Sequence, residues 1–260
     1  MLPIEFDCHI HTTRSACGED ITDDWLCQKA RSDSLRFAVT DHTMHLYYEP
    51  EIAWAMYRED AIPLFEARRK QGRDTIARYV DDLRDCDSDN LLVGVELDVL
   101  PDGQIMFPDE LRPELDLFLG AIHLLPTVQN KAEATAVENE YKQQTRWLMD
   151  YGIDVLAHPF RVILGSGYEV GEPLVEWTVD LAAEYGVALE VNSHKPYREH
   201  DLSMVRLCAE RGVLLAVGTD AHHSREFGQF QYHRQLFRRA GLSESEAAKL
   251  LYTPDNGLPL

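Results

Sequence analysis

The amino-acid sequence predicts an α/β fold, a closed (β/α) barrel of about seven parallel strands in one domain spanning residues 1–260. Three observations carry that expectation. Seven short apolar runs recur along the chain, several rich in Val, Ile, Leu or Phe, as strands buried on both faces require. Amphipathic, charge-rich stretches of helical length separate most of them. Three of these stretches end in a glycine followed by the next run, the repeating pattern of βα units. A doubly wound open sheet shares this alternation, because periodicity does not distinguish a closed edge from an open one.

The runs cover residues 4–9, 37–40, 91–99, 117–122, 154–157, 187–191 and 213–217. Residues 23–34 read as the helix before the second run. Residues 47–89 form a helical insertion, and 51–83 within it has room for two helices with Pro63 as the break. Residues 130–151, 173–185 and 201–211 read as helices before the last three runs. Gly152, Gly186 and Gly212 stand just past them, where a left-handed C-cap belongs. Residues 229–251 read as one or two closing helices.

Composition narrows the function classes. No stretch approaches the roughly 20 apolar residues of a membrane span, and the opening residues enter a strand pattern without a basic region and apolar core, so no signal peptide is expected. The five cysteines (Cys8, Cys17, Cys27, Cys86, Cys208) are scattered, odd in number and form no CxxC pair, which fits a reduced, cytoplasmic setting. The net charge of -20, from 45 acidic and 25 basic residues, argues against extended nucleic-acid or anionic-membrane binding. A small phosphorylated substrate is compatible with it, since metals and a few arginines can reverse the sign inside a pocket.

The residues at the exit of each run are more specific. The exits read Asp7-Cys8-His9-Ile10-His11, Thr40-Asp41-His42, Gly94-Val95-Glu96-Leu97-Asp98, Ala121-Ile122-His123, Ala157-His158-Pro159, Glu190-Val191-Asn192-Ser193 and Gly218-Thr219-Asp220-Ala221-His222. Six of the eleven histidines fall there. In a parallel barrel all such exits open onto one face, so these residues converge. His9 and His11 are two apart on an extended chain and point the same way. Imidazole with carboxylate suits Zn, Mn or Fe, whereas Ca or Mg would want oxygen ligands, and eight such groups imply two or three divalent ions. Each piece alone has an ordinary explanation. His123 or His158 suits a hydrogen-bonded core residue, Thr40-Asp41-His42 a helix cap, and Glu96 an ion pair. Jointly those explanations need a separate coincidence at each of six strands.

The segments Asp7-Cys8-His9-Ile10-His11-Thr12, Val39-Thr40-Asp41-His42, Gly94-Val95-Glu96, His123, Ala157-His158-Pro159 and Gly218-Thr219-Asp220-Ala221-His222 resemble, in order, the PHP (polymerase and histidinol phosphatase) superfamily. The resemblance implies a distorted (β/α)7 TIM-like barrel and a two- or three-metal phosphoesterase centre. It implies the ligands His9, His11, His42, Glu96, His123, His158, Asp220 and His222. One position departs from the pattern. Where the family often has a further His or Asp ligand, eight residues after the first His, this chain has Cys17, then Gly18, Glu19 and Asp20. A two-residue insertion gives the role to Glu19, the favoured reading, while Cys17 is itself a plausible zinc ligand.

The expected activity is metal-dependent hydrolysis of a small phosphomonoester, such as histidinol phosphate or a nucleotide. A water shared by two cations loses a proton near neutrality and attacks phosphorus. Asp220 is the candidate contact of metal and water, His222 a ligand, and His194 a proton donor to the leaving alkoxide. Arg161, directly after His158-Pro159-Phe160, is the first candidate for gripping phosphate, followed by Lys195, Arg198 and Arg225, with Arg14 weaker. His45, His200, His223 and His233 read as surface or supporting residues. Tyr47, Tyr48, Trp54 and Tyr57 could stack on a base, although packing a helix is the simpler role.

Two rivals belong to other classes. An amidohydrolase-type C–N hydrolase also begins with HxH and ends with Asp, but resemblance to it would imply a bridging lysine where this chain offers Glu96 and His123. A non-catalytic metal-binding module has no need of an open multinuclear centre. Residues 85–96 nearly spell a calcium loop, but Asn90 replaces the required Gly and a strand follows. The glycines at 165, 167 and 171 have the wrong spacing for a dinucleotide fingerprint.

Overall fold

A computed structural model of the chain describes residues 2–48, 50–53 and 61–256. Among the described residues all seven expected strands are present: β1 (Phe6–Asp7), β2 (Arg36–Val39), β3 (Leu91–Asp98), β4 (Leu117–Ala121), β5 (Val155–Leu156), β6 (Ala188–Asn192) and β7 (Leu215–Gly218). They lie in sequence order, and every neighbouring pair is parallel. The ring closes where β7 and β1 run on together. Cys8 N–H donates to Val217 O at 2.9 Å, Asp220 N–H to His9 O at 2.8 Å and His11 N–H to Ala221 O at 2.9 Å. Closure excludes the open sheet.

The helices are α1 (Asp23–Ser32), α2 (Thr43–Tyr47), α3 (Pro50–Ala53), α4 (Ala61–Arg84), α5 (Pro126–Gln129), α6 (Ala134–Tyr151), α7 (Arg161–Gly165), α8 (Glu172–Tyr185), α9 (Arg198–Arg211), α10 (Gln231–Arg239) and α11 (Glu244–Leu250). Local chemistry sets several ends. The Thr22 hydroxyl accepts the Trp25 N–H at the start of α1, and Ser243 with Glu246 forms a capping box on α11. Gly152, Gly186 and Gly212 take φ of 87°, 69° and 73° at the ends of α6, α8 and α9, as expected of left-handed caps. None of these helices is long and apolar enough to cross a membrane.

Two expectations need correction. Pro63 does not break a helix. It lies within α4, near the start of the described part of that helix. The cysteines are not all single thiols either: Cys27 of α1 and Cys86, just past α4, form a disulfide. Tyr47 and Tyr48 are buried, and the Tyr47 ring lies 5.2 Å from that of Phe65, so packing is what they do. Trp54 and Tyr57 lie outside the described residues.

Strand alternation decides what faces the barrel axis. Phe6, Cys8, Ala38, Leu92, Leu117, Leu119, Ala121, Val155, Ala157, Ala188 and Ala216 form one cluster, with Tyr252 packed among them. We assign this cluster to the inside, because the same alternation carries Ala38 to His42, Leu92 to Glu96, Ala121 to His123 and Ala188 to Glu190. The larger cluster, with Phe37, Val39, Val93, Val95, Leu189 and Val191, joins the strands to the helices. Five alanines inside leave a narrow ring, and the polar residues begin where the alanines stop.

Candidate metal centre

Glu96 stands at the middle of the cluster and is wholly buried. Its Oε1 lies 2.9 Å from His158 Nε2 and 3.3 Å from His123 Nε2. Its Oε2 lies 2.8 Å from His42 Nδ1 and 3.5 Å from both His9 Nε2 and His11 Nε2. Across the ring Asp220 Oδ1 is 3.1 Å from His11 Nε2, 3.6 Å from His9 Nε2 and 3.7 Å from His222 Nδ1. The exits of β1, β2, β3, β4, β5 and β7 therefore meet at one rim, as the barrel predicts.

The donor set fits divalent cations. His9 Nε2 and His11 Nε2 are 3.0 Å apart, a spacing at which two lone pairs repel unless a proton or cation lies between them. Glu96 Oε2 accepts no hydrogen bond although three imidazole nitrogens lie within 3.5 Å. Unsatisfied buried carboxylate oxygen is costly without a cation. Overlapping groups whose ligand atoms lie within 4.8 Å of one another include His9, His11 and Glu96; His9, His158 and Asp220; His11, Asp220 and His222; and His42, Glu96 and His123. The groups share members, so the donors form one continuous cluster.

Electrostatics vary sharply across this cluster. Burial opposes charge on His9, but Glu190, Asp220 and Glu96 outweigh it and hold its pKa well above the usual range. Burial opposes charge on His123 too, yet Glu96 and Asp98 raise it to about 10. Burial, helped by His42, pushes His11 well down. Burial, helped by Arg161, brings His158 to about 4. Glu96 and Asp220 resist burial and stay well below the ordinary carboxylate range, because His42 and His123 surround the first and His9 and Arg161 the second. Two ligand positions carry left-handed backbone, His158 at φ 29° and Asp220 at φ 52°. Neither is glycine, so the surrounding bonds hold them there at some cost.

A supporting layer was not assigned from sequence. Glu190 Oε1 lies 2.8 Å from His9 Nδ1, and its Oε2 accepts the His158 N–H at 2.6 Å. Asp98 Oδ1 lies 2.9 Å from His123 Nδ1 and its other oxygen accepts the Met44 N–H. Asp41 accepts from Thr12 N–H, the Thr12 hydroxyl and the Ser15 hydroxyl. Asp7 accepts from Thr219 N–H and the Thr219 hydroxyl. The available signal was position: Asp7 and Asp98 each sit two residues from a ligand, and Asp41 directly before one.

The remaining expected residues divide. A cleft of about 510 Å³ opens over the centre, with Arg161, His194, Lys195 and Arg225 among its lining. Arg161 donates to Asp220 Oδ2 at 2.7 Å and to Asn192 Oδ1 at 2.6 Å. The His194 ring lies 4.5 Å from that of His222, and burial holds its pKa below the usual value. Arg198, the exposed first residue of α9, is not in the cleft lining. Arg14 pairs with Asp23 and Asp82 instead. Glu19 stays at the rim: it lines the same cleft but is 60% exposed and holds His223 Nε2 at 2.7 Å, while Cys17 joins His11 and His42. Of the other histidines, His45 is buried beside the centre, with Nδ1 accepting the Ala16 N–H at 3.0 Å. His233 is buried against Val191 O and His200 lies near Val170 O.

Comparison with known proteins agrees with this fold. Over 224 residues the chain is 27% identical to the DNA polymerase/3'-5' exonuclease PolX of Bacillus subtilis, covering 85% of this chain but only 34% of that protein. The chain thus spans about a third of that relative's length. Over 249 residues it is 26% identical to a probable phosphatase of Aeromonas hydrophila, covering 90% of this chain and 85% of the other. The histidinol phosphate phosphatase of Lactococcus lactis, crystallised with zinc, L-histidinol and phosphate, shares the fold with a TM-score of 0.53 at 14% identity, over 92% of this chain and 94% of that one. The PHP domain model matches residues 7–194, and the chain belongs to the PHP domain family.

Proposed function

We propose that this PHP-family phosphoester hydrolase acts on a small phosphomonoester, such as histidinol phosphate or a nucleotide. In this reading His9, His11, His42, Glu96, His123, His158, Asp220 and His222 hold two or three divalent ions of the zinc, manganese or iron kind. The observation that supports it best is the meeting of eight imidazole and carboxylate groups in overlapping clusters, with His42, Glu96, His123, His158, Asp220 and His222 lining one cleft. Such ions, when bound, supply Lewis acidity and lower the pKa of water.

The chain's own residues supply the rest. Glu96 turns Oε1 to His123 and His158 and Oε2 to His9, His11 and His42, so one carboxylate serves neighbouring positions. Asp220 faces His11 with one oxygen and Arg161 with the other, joining the metal-binding side to the cationic side. The Arg161 Nε–H is buried without an acceptor, as befits a donor kept for an incoming phosphate oxygen. His194 is the candidate for passing a proton to the leaving oxygen, and a lowered pKa makes its protonated form a stronger acid. Lys195 and Arg225 at the cleft give a dianion a favourable approach within a chain of net charge -20. The volume of about 510 Å³ suits a metabolite.

Elemental analysis together with phosphate release from a panel of phosphorylated metabolites tests the reading. The double variant His9→Ala/His11→Ala should lose both bound metal and turnover while keeping its circular dichroism. Full activity in that variant would dispose of the mechanism. Bound metal without turnover of any phosphoester would favour a non-catalytic module.

A further inference from the structure

We infer that the thiol of Cys17, and not the carboxylate of Glu19, completes a metal position with His11 and His42, giving that position a preference for zinc. The inference rests on the metal-centre reading above and deepens it. Cys17 Sγ and one ring nitrogen from each of His11 and His42 lie within 4.8 Å of one another. Glu96 Oε2, on a wholly buried side chain and accepting no hydrogen bond, lies 2.8 Å from His42 Nδ1 and 3.5 Å from His11 Nε2. A thiolate and two imidazoles are donor types of a zinc site, and the Glu96 oxygen beside both imidazoles is the candidate for a fourth.

The backbone explains why Cys17 turns toward His11 and His42 while Glu19 stays at the cleft rim. The turn after His11 is bonded at each step: Ser15 N–H to Thr12 O at 3.1 Å and Gly18 N–H to Ser15 O at 2.9 Å. Ala16 N–H donates to His45 Nδ1 at 3.0 Å, and the Ser15 hydroxyl to Asp41 Oδ1 at 2.6 Å. A side chain at position 18 would collide with the Thr12 carbonyl, so only glycine lets the chain fold back this tightly. Glu19 N–H is then fixed on His222 O at 2.9 Å, and its side chain reaches His223 at the rim. Turning the Glu19 side chain inward would break its contact with His223. Thiolate is a soft ligand that selects zinc, whereas positions built from imidazole and carboxylate alone also suit manganese and iron.

The cysteine inventory makes the test specific. Cys8 and Cys208 are buried and Cys27 is bonded to Cys86, leaving Cys17 as the one free and partly exposed cysteine. The full chain is stripped with chelator and refilled with Co²⁺. The near-ultraviolet thiolate-to-cobalt charge-transfer band should be present in the wild type, absent in Cys17→Ser and unchanged in Glu19→Gln. Iodoacetamide should modify Cys17 about tenfold faster in the stripped protein than in the loaded one, because a metal-bound thiolate is protected. Cys17→Asp, which keeps a ligand and guards against misfolding, should hold the full complement of metal without the band. A loaded wild type that lacks the band, a band that survives Cys17→Ser, or alkylation indifferent to metal would overturn the inference and leave the metal centre standing. A wild type that takes up no Co²⁺ would overturn both.

Discussion

His9 reaches the centre through a hydrogen bond that no ligand motif contains. Glu190 Oε1 holds His9 Nδ1 at 2.8 Å, which keeps the ring proton on Nδ1 and turns the Nε2 lone pair toward Glu96 and Asp220. The same carboxylate accepts the His158 N–H and, at 3.0 Å, the Asn192 side-chain amide. Orientation of two ligands from separate strands thus depends on one negative charge. Glu190→Gln keeps the shape and removes the charge. Metal affinity should fall about 10- to 100-fold with the fold intact, read by competition against a chelator of known affinity. Unchanged affinity would mean that the backbone alone orients His9. The candidate ligands were legible in sequence because histidine at a strand exit is rare enough to count. Glu190 was not, because an acidic residue near a strand end is ordinary in a chain with 45 of them, and its value appears only when β1 and β5 deliver His9 and His158 beside it.

Strands β1 and β5 end by shifting their alternation, which no periodicity in the sequence announces. Cys8 packs with the inner cluster and Ile10 with the outer one, yet His9 and His11 face the centre, so the phase moves by one residue after Cys8. Ala157 is likewise inner and the adjacent His158 also turns inward, through its left-handed φ of 29°. Strand positions were readable because apolar runs and C-cap glycines are local. These phase shifts, the Cys27–Cys86 pairing across 59 residues and the pairing of Glu19 with His223 depend on neighbours remote in sequence. Gly218 at the end of β7 shows how tightly the elements meet. A Cβ there would lie 2.9 Å from His9 Cβ and would strike the Glu190 carboxylate, both already held in place. Gly218→Ala should cost roughly 1–3 kcal/mol of folding stability in a urea titration and should also weaken metal binding, because His9 must move. Stability lost with metal affinity retained would mean that the strain relaxes away from the centre.

For the molecule as a whole, pH couples the barrel wall to its stability through a histidine outside the centre. His233 of α10 is fully buried, and its Nε2 lies 2.9 Å from Val191 O, so it is held neutral as a donor to the end of β6. Burial, partly opposed by that hydrogen bond, lowers its pKa from 6.5 to about 4. A depressed histidine contributes stability that is present above the unfolded value and lost as pH falls from 6.5 through 4, because the unfolded chain binds the proton first. The difference is worth roughly 3 kcal/mol across that window. Asp7 works in the opposite sense. Burial raises its pKa from 3.8 to about 6, so its contribution is complete below the unfolded value and lost as pH rises through 6. Between about 4 and 6 the two act in opposite directions, while His158 and His45, depressed to about 4 and 3, act with His233, so a variant is needed to isolate its share. His233→Gln retains a donor for Val191 but cannot take up a proton. In chelator-treated protein the stability of the wild type minus that of this variant should therefore fall steadily as pH drops from 6.5 to 4, whatever the variant's absolute stability. A difference that stays constant over that range would mean that His233 does not titrate with unfolding and that acid enters the barrel elsewhere.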